Sequence, residues 1–374
     1  MSRVVVVGGG IAGVEAALTI ARTNPRASIT LVAQWPSMRI VPELVYVPFG
    51  VVPQAIDVRL IRALAADGIE LHLATCQGVD IQAHELHLST GTLSYDSVVF
   101  APGTVPQPTS ANRLRTLDDA DRLRSALAEL EQSTARHRAV TLRVPEECHW
   151  TPPAFEFALL LARWRSTIGA PDIRIEMAIE ASEPLDIFSF EASELVRTRL
   201  HEARVELMSH IPAHRIDLIP SSLAIEFDGL VAQRVFGLPP LQPSGFYRTD
   251  SSGRVATDAY VVGDATEMPF KAGFAVGWHA RRVAAALGGD ITLLGSHVDG
   301  IPIGDCEYQM DLADGTSMHV RFDMEHHFHE PYLTPVADVF VRDGAPEKLA
   351  GTLVRTLLVD GLKPRQVDVS ARTA

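Results

Sequence analysis

Apolar residues fall along this chain in two alternating rhythms. Val4-Val5-Val6-Val7 and Ser28-Ile29-Thr30-Leu31-Val32-Ala33 are short, nearly unbroken apolar runs. Between them, residues 11–23 place Ala16, Ala17, Leu18, Ile20 and Ala21 at helical spacing. Such runs suit strands buried on both faces, and the longer period suits a helix lying against them. The strand–helix–strand unit spans about 30 residues, the length a parallel crossover requires. The same reading predicts an ordered, Pro- and aromatic-rich loop over 35–55 and a helix over 57–67. Strands follow at 69–74, 77–82, 85–89, 92–94 and 96–101. A second alternating unit has a helix at 118–132, a strand at 140–144, a helix at 153–166, a strand at 173–179 and a helix at 190–203. Short strands at 205–209, 215–218 and 223–227 complete it. A Pro-rich connection, 237–245, leads into a strand–turn–helix unit over 247–288. Beyond it the pattern changes to short alternating strands near 306–312, 317–322 and 336–342, then a helix over 346–359.

Two turns interrupt the apolar pattern in a chemically informative way. The first strand runs into Gly8-Gly9-Gly10-Ile11-Ala12-Gly13, a Gly-x-Gly-x-x-Gly turn that opens a helix. Gly8 permits the tight turn, Gly10 lets backbone amides approach a pyrophosphate, and Gly13 lets helix pack on strand. The helix N-terminus adds partial positive charge. About 250 residues later, Ala259-Tyr260-Val261-Val262 runs into Gly263-Asp264-Ala265-Thr266. A carboxylate there can accept hydrogen bonds from ribityl or ribose hydroxyls. Either turn alone is a weak signal. Together they point to one dinucleotide, FAD, held between the two ends of a split domain.

Composition narrows the field. A chain of 374 residues with 47% hydrophobic residues has material for two or three cores. The net charge of −13 argues against a nucleic-acid partner, which needs clustered Lys and Arg. Cys76, Cys148 and Cys306 are the only cysteines, too few for a disulfide framework, and no Cys-x-x-Cys is present. No apolar run reaches the roughly 18 residues of a membrane span. A buried strand at the very start leaves no room for a secretory signal, so a cytoplasmic protein is expected, with peripheral membrane contact left open.

Four ordered segments carry a family resemblance: Gly8 to Glu15; Tyr95-Asp96-Ser97-Val98-Val99-Phe100-Ala101-Pro102-Gly103; Thr249 to Val255 with Tyr260 to Thr266; and Pro269-Phe270-Lys271-Ala272-Gly273. The chain resembles the FAD-dependent pyridine nucleotide-disulfide oxidoreductase-like flavoproteins. Within them it is similar to the group of sulfide:quinone oxidoreductase, flavocytochrome c sulfide dehydrogenase and type II NADH dehydrogenase. The resemblance is strong over residues 1–290 and weak beyond. It implies an α/β architecture of two Rossmann-like domains, with a split FAD domain and a smaller α+β C-terminal domain. The FAD domain would occupy residues 1–112 and 237–290. A second Rossmann-like domain would occupy 113–236, and a C-terminal cap or interface domain 291–374. FAD would be held by Gly8, Gly10, Ile11, Ala12 and Gly13, by Ala33 and Gln34, by Pro42 and Val79, by Ala101, Pro102 and Gly103, by Gly263 and Asp264, and by Lys271 and Gly273.

The sequence departs from the family in three places. Ala33-Gln34 stands where an acidic residue usually meets the adenosine ribose, so Gln34 would bind its hydroxyls as a neutral group. After the strand at 140–144, where NADH-using relatives have a second Gly-rich turn, the chain reads Pro145-Glu146-Glu147-Cys148-His149-Trp150-Thr151-Pro152-Pro153. No glycine is available there, and proline removes amide donors. That argues against binding NAD(P)H in the usual way, and Pro152-Pro153-Ala154-Phe155-Glu156 resembles the sulfide-oxidising branch instead. Third, that branch has a redox cysteine six residues before the position of Glu156, where this chain has Trp150. A sulfur relay would need Cys148 to shift register onto the flavin, with Cys306 as its partner. The alternative is that both are ordinary thiols and Trp150 shapes a pocket beside the ring.

The candidate catalytic residues are therefore Glu156, Lys271, Cys148, Cys306 and Trp150. Glu156 is either a proton shuttle or a charge at a helix N-terminus. Lys271 either places positive charge at the flavin or is a solvated loop lysine. The ring is expected where Pro102-Gly103, the Trp150 loop and Lys271-Gly273 converge. His326-His327-Phe328-His329 looks like a ligand set but reads more simply as a loop without metal. The stripe Leu349, Leu353, Val354, Leu357, Leu358 reads as an interface with the body of the protein or a second subunit, so a homodimer stays open. The expected activity passes electrons from a small reductant, a sulfur compound among the candidates, through FAD to a quinone or protein acceptor. Two alternatives remain: an NAD(P)H-dependent flavoprotein reductase, and a flavoprotein fold serving as a binding or assembly subunit.

Overall fold

The computed structural model describes residues 2–50, 57–65, 67–106, 112–185, 187–227, 229–268, 270–294, 297–298, 301–302, 306–322 and 336–344. The His-rich run at 326–329, the stripe at 349–358 and Pro269 lie outside the described residues.

The opening run of valines sits in the middle of a six-stranded sheet. Its order is Arg254–Ala256, Ala259–Val261, Ser97–Phe100, Arg3–Val7, Ser28–Ala33, Glu70–Leu73. All neighbours are parallel except the first pair. Val4 and Val6 pack in one core cluster with Val14 and Leu18 of helix Ile11–Thr23 and Val283 of helix Gly273–Ala286. Val5 and Val7 pack on the other face with Val79, Leu86 and Leu88. Those three belong to the antiparallel meander Cys76–Asp80, Glu85–Leu88, Gly91–Ser94. Both faces of the strand are covered, which is why its sequence shows no alternation.

A second sheet runs Val205–Met208, Ile173–Ile179, Arg138–Val144, Leu223–Glu226, parallel throughout. Helices Leu117–Gln132, Pro152–Thr167 and Phe190–Glu202 belong to this unit. The first of these is set by a capping box, in which Thr116 and Asp119 bond each other's backbone amides. A third, antiparallel sheet follows: Cys306–Asp311, Thr316–Phe322, Val336–Asp343. Its residues Met310, Met318, Val320 and Phe322 join the core of the second sheet. The architecture is thus α/β, with two Rossmann-like units, the first built from both ends of a long stretch of chain, and a smaller C-terminal sheet.

Three expectations need correction. The ordered loop expected over 35–55 contains regular elements as far as residue 50: Ser37–Arg39 pairs antiparallel with Asp57–Arg59, and Val41–Phe49 is a 3-10 helix with Pro42 in its first turn. The helix expected over 57–67 is consequently shorter, Leu60–Ala65. The strand expected at 215–218 is instead the short helix Ala213–Ile216, with Pro212 at its N-cap. The short pair Thr104–Pro106 with Leu230–Ala232, which ties the two halves together, gave no signal in the sequence.

Candidate active site

The two glycine turns meet in space. A Cβ on Gly263 would stand 2.6 Å from Cβ of Ala12, so the second turn rests on the first turn of helix Ile11–Thr23. Gly8 has φ of 128°, and a Cβ there would lie 2.2 Å from the Ala101 carbonyl oxygen. A Cβ on Gly13 would lie 1.8 Å from the Gly8 oxygen. These two glycines are required by the protein's own packing. Gly10 is different: nothing lies within 4 Å of a Cβ added to it. It is exposed, caps the helix without any side-chain bond, and leaves the first-turn amides of Ile11, Ala12 and Gly13 without intrahelical partners. This open, uncapped helix N-terminus is what a diphosphate requires. Gly103, with φ of 70°, is open in the same sense.

Around Asp264 the chain gathers charged and aromatic side chains. Asp264 is half-buried, and desolvation raises its carboxyl pKa against the pull of Lys271 and Arg115. Arg115 also donates to Thr104 Oγ1 at 3.2 Å, beside Gly103. Lys271 is buried. Its Nζ donates to the Thr266 carbonyl at 2.5 Å and stands 3.7 Å over the Phe246 ring. Burial pushes its pKa down to about 8, with Asp264 and Glu267 opposing. His149 packs edge-on to Phe246, with centroids 5.0 Å apart. Burial, then Lys271, pushes its pKa down. His279 is buried beneath the turn and accepts the Gly263 N–H at Nδ1, 3.1 Å away. Desolvation, with Lys271 and Arg282, takes its pKa to about 3, so it is neutral at ordinary pH.

Of the residues singled out in the sequence, Lys271 and the Trp150 loop are brought together, through His149 on Phe246, Lys271 on Phe246 and Trp150 on Phe270. Ala33 is buried against Gly9, and Gln34 is exposed at the strand end. Ala101 donates its amide to the Val7 carbonyl, and Pro102 is half-buried. Gly273 opens helix Gly273–Ala286, whose N-terminus also has no side-chain cap. Trp150 is edge-on to Phe188, Phe270 and Tyr308, with centroids 5.7, 6.3 and 5.4 Å away. Pro42 is half-buried at the start of its 3-10 helix. Val79 offers no amide, because its N–H is bonded to the Phe236 carbonyl. Cys148 is buried in the core of the second unit, its thiol donating to the Trp150 carbonyl at 3.6 Å. Cys306 opens the third sheet in register with Phe322.

Glu156 is 1% exposed and is a structural junction. Its Oε1 accepts from the Tyr46 hydroxyl at 3.3 Å and from the Asp311 amide at 2.9 Å. It therefore joins the 3-10 helix, helix Pro152–Thr167 and the third sheet. Burial, then the neighbouring Glu156 charge, raises the Tyr46 and Tyr308 pKa values. Tyr46, Arg115, His149, Phe246 and His279 were not singled out in the sequence. Arg115 directly precedes the recognisable capping box, but nothing local marks the others.

The loop after the second sheet's first strand is closed on itself. Glu146 N–H donates to the Glu180 carboxylate at 3.0 Å, and Cys148 N–H to the Pro145 carbonyl at 3.0 Å. Glu180 in turn donates its amide to the Val144 carbonyl. Among the described residues, no group of three His, Cys, Asp or Glu could hold a metal ion, and no helix is long and apolar enough to cross a membrane.

Residues 2–144 match the family model described as pyridine nucleotide-disulphide oxidoreductase. Over that stretch, less than half of its length, the chain is similar to the pyridine nucleotide-disulphide oxidoreductases. Among solved structures it is similar to a sulfide:quinone oxidoreductase from the hyperthermophilic bacterium Aquifex aeolicus. That match has a TM-score of 0.75 and 17% identity over 96% of this chain and 90% of that one. It is also similar to a ferredoxin reductase for the CYP199A2 system from Rhodopseudomonas palustris (TM-score 0.64, 19% identity, 86% and 82% of the two chains). A third is a putidaredoxin reductase in covalent complex with putidaredoxin (TM-score 0.59, 18% identity, 87% and 82%). No curated protein matches the sequence. At these identities the structural likeness establishes the fold alone.

Proposed function

We propose that this pyridine nucleotide-disulphide oxidoreductase-like chain binds FAD non-covalently and passes electrons from a small reductant to a quinone or protein acceptor. The observation that carries the reading is the meeting of the two glycine turns, with Gly10 open and Gly263 seated on Ala12. FAD, when bound, supplies two-electron acceptance and release. The amides of Ile11, Ala12 and Gly13 would hold its diphosphate, and Asp264 its sugar hydroxyls. Gln34 would meet the adenosine end without charge. Lys271 stays mostly protonated at pH 7 and can release a proton from Nζ close to that range, because its pKa is about 8. Trp150 and its aromatic neighbours exclude water.

The donor class is inferred from two features. The self-bonded, glycine-free loop at 145–153 disfavours NAD(P)H, and Pro152 to Glu156 resembles the sulfide-oxidising branch. The likeness to the Aquifex aeolicus protein supports the same branch at the level of fold. Cys148, buried with its thiol on the Trp150 carbonyl, sits in the fold as a core thiol. The proposal therefore sets the electron transfer at the flavin itself, which would lie beside Lys271 and the Trp150 loop, with no sulfur relay at Cys148. Absorbance of the purified protein near the flavin bands, then stopped-flow mixing with sulfide, small thiols, NADH and NADPH, tests it. A bound flavin bleached by a sulfur donor and not by NADH or NADPH is expected. A protein that takes up no FAD refutes the whole reading, and rapid bleaching by a nicotinamide refutes the choice of donor.

A further inference from the structure

A second candidate site lies at the opposite end of the second sheet. Loop 145–151, which contributes to the candidate active site, follows the carboxyl end of strand Arg138–Val144. By contrast, a hollow of about 550 Å³ opens by the amino-terminal ends of strands Ile173–Ile179 and Val205–Met208. It lies between the C-terminal ends of helices Pro152–Thr167 and Phe190–Glu202 and the turn that follows strand Cys306–Asp311. Its volume is in the range of small-molecule sites.

The charge of its lining is opposite to that of the chain. The protein carries a net −13, yet Arg163, Arg165, Arg199 and Arg204 converge here against Glu202 and Asp314. The arginines are not equivalent. Arg165 caps chain ends, donating to the carbonyls of Ile173, Ala203 and Arg204. Arg199 lies between Glu202, at 2.9 Å, and Asp314, at 3.5 Å. Those two acids are thus engaged by one arginine. Arg163 and Arg204 are exposed, and neither side chain makes a hydrogen bond or ion pair among the described residues. Two guanidinium forks are left facing a common space.

Two further features fit a ligand. Arg204 follows a helix end in left-handed backbone, φ of 54°, a position that favours glycine. The chain keeps a long cationic side chain there despite the strain. Burial, then the nearby charge of Arg204, lowers the pKa of Arg165. Beside Ser166, the wall includes the apolar side chains of Leu159, Ala162, Ala170 and Leu312. A bare inorganic ion would leave that wall unused.

We infer that this hollow binds a small organic anion, a carboxylate or phosphate ester with a compact apolar body, through Arg163 and Arg204. A planar guanidinium matches either head group with two parallel hydrogen bonds. The inference is independent of the flavin and holds for the protein with or without it.

Calorimetric titration with phenyl phosphate and benzoate, against inorganic phosphate and phenol at matched ionic strength, tests the site. Saturable binding of one or both aromatic anions is expected, at least tenfold tighter than inorganic phosphate, with none for phenol; which one binds tells phosphate from carboxylate. Arg163→Glu and Arg204→Glu, both at exposed positions, should each weaken binding at least tenfold while leaving the circular dichroism spectrum and flavin content unchanged. No saturable binding by either aromatic anion overturns the inference. So does binding that survives in both charge-reversed variants, or inorganic phosphate binding as tightly as the aromatic anions.

Discussion

After Val7 and after Val144 the chain does the same thing topologically: a central parallel strand ends, a loop turns, and a helix runs back along the sheet. The first loop turns on Gly8, Gly10 and Gly13, and its helix N-terminus is uncapped and exposed at Gly10. The second turns through prolines and closes its donors internally, Glu146 on Glu180 and Cys148 on Pro145. Its helix carries Glu156 early in its length, already bonded to Tyr46 and Asp311. One loop leaves amides for an anion from outside, whereas the other supplies its own carboxylate. Shared topology therefore does not give shared ligand chemistry, and what the backbone amides are already bonded to decides which loop is a site.

The sharpest way to break this contrast is at the glycines. Gly13→Ala would place a methyl 1.8 Å from the Gly8 oxygen, an overlap with backbone that no rotamer relieves. It should cost at least about 3 kcal/mol of stability and abolish flavin content, read by thermal melting and by absorbance per mole of protein. Gly10→Ala meets nothing within 4 Å, so the flavin-free protein should melt within about 0.5 kcal/mol of wild type. Its affinity for added FAD should nonetheless fall at least tenfold, because the methyl enters the space left for the diphosphate. Equal effects on melting and on FAD binding in Gly10→Ala would remove the distinction between packing glycines and ligand glycines.

His279 extends the contrast to pH. Its folded pKa of about 3 is far below its value of about 6.5 in the unfolded chain. Below pH 6.5 the unfolded chain takes up a proton that the folded one refuses, so stability is lost as pH falls from about 6.5 towards 3. The loss is on the order of 4 kcal/mol over that window. Equilibrium denaturation of His279→Asn, whose amide oxygen can still accept the Gly263 N–H, should show a shallower acid slope. An unchanged slope would mean that the turn bearing Asp264 is held by other groups.

How much of this could be read from the sequence follows the same division. The unbroken valines and the Gly8–Gly13 turn were legible because strand burial and glycine sterics act over a few neighbouring residues. The poverty of the second loop was legible from Pro145 to Pro153 for the same reason. Its closure by Glu180 was not, since that residue lies 34 positions from Glu146 and meets it only across two parallel strands. His279 and Phe246 were missed because they are ordinary residues of a helix and a loop until folding sets them against Gly263 and Lys271. The pair Thr104–Pro106 and Leu230–Ala232 is too short to show a period, and the helix at 213–216 is a single turn fixed by Pro212.

Glu156 tests whether the second helix is occupied for structural or chemical reasons. Glu156→Leu would leave the Asp311 amide and the Tyr46 hydroxyl without this acceptor in a buried place, costing about 2–4 kcal/mol. Glu156→Gln retains an acceptor oxygen and should recover more than half of that loss. If Gln also preserves the rate of flavin reduction, the residue is a junction. A Gln variant that is stable but at least tenfold slower would make it a proton carrier.

The smallest expected effect probes the second loop directly. Glu180→Gln removes the charge from the bond to the Glu146 amide but keeps an oxygen that can accept it. A charge-assisted bond is worth roughly twice a neutral one, so the loss should be no more than about 1 kcal/mol, seen as a small shift in the denaturation midpoint. Its value lies in what it frees: with the internal carboxylate neutralised, the loop amides face less negative charge. NADH titration should still show no binding, since Pro145, Pro152 and Pro153 continue to deny amides to a diphosphate. Weak saturable NADH binding in this variant would show that Glu180, and not the prolines, is what closes the second loop.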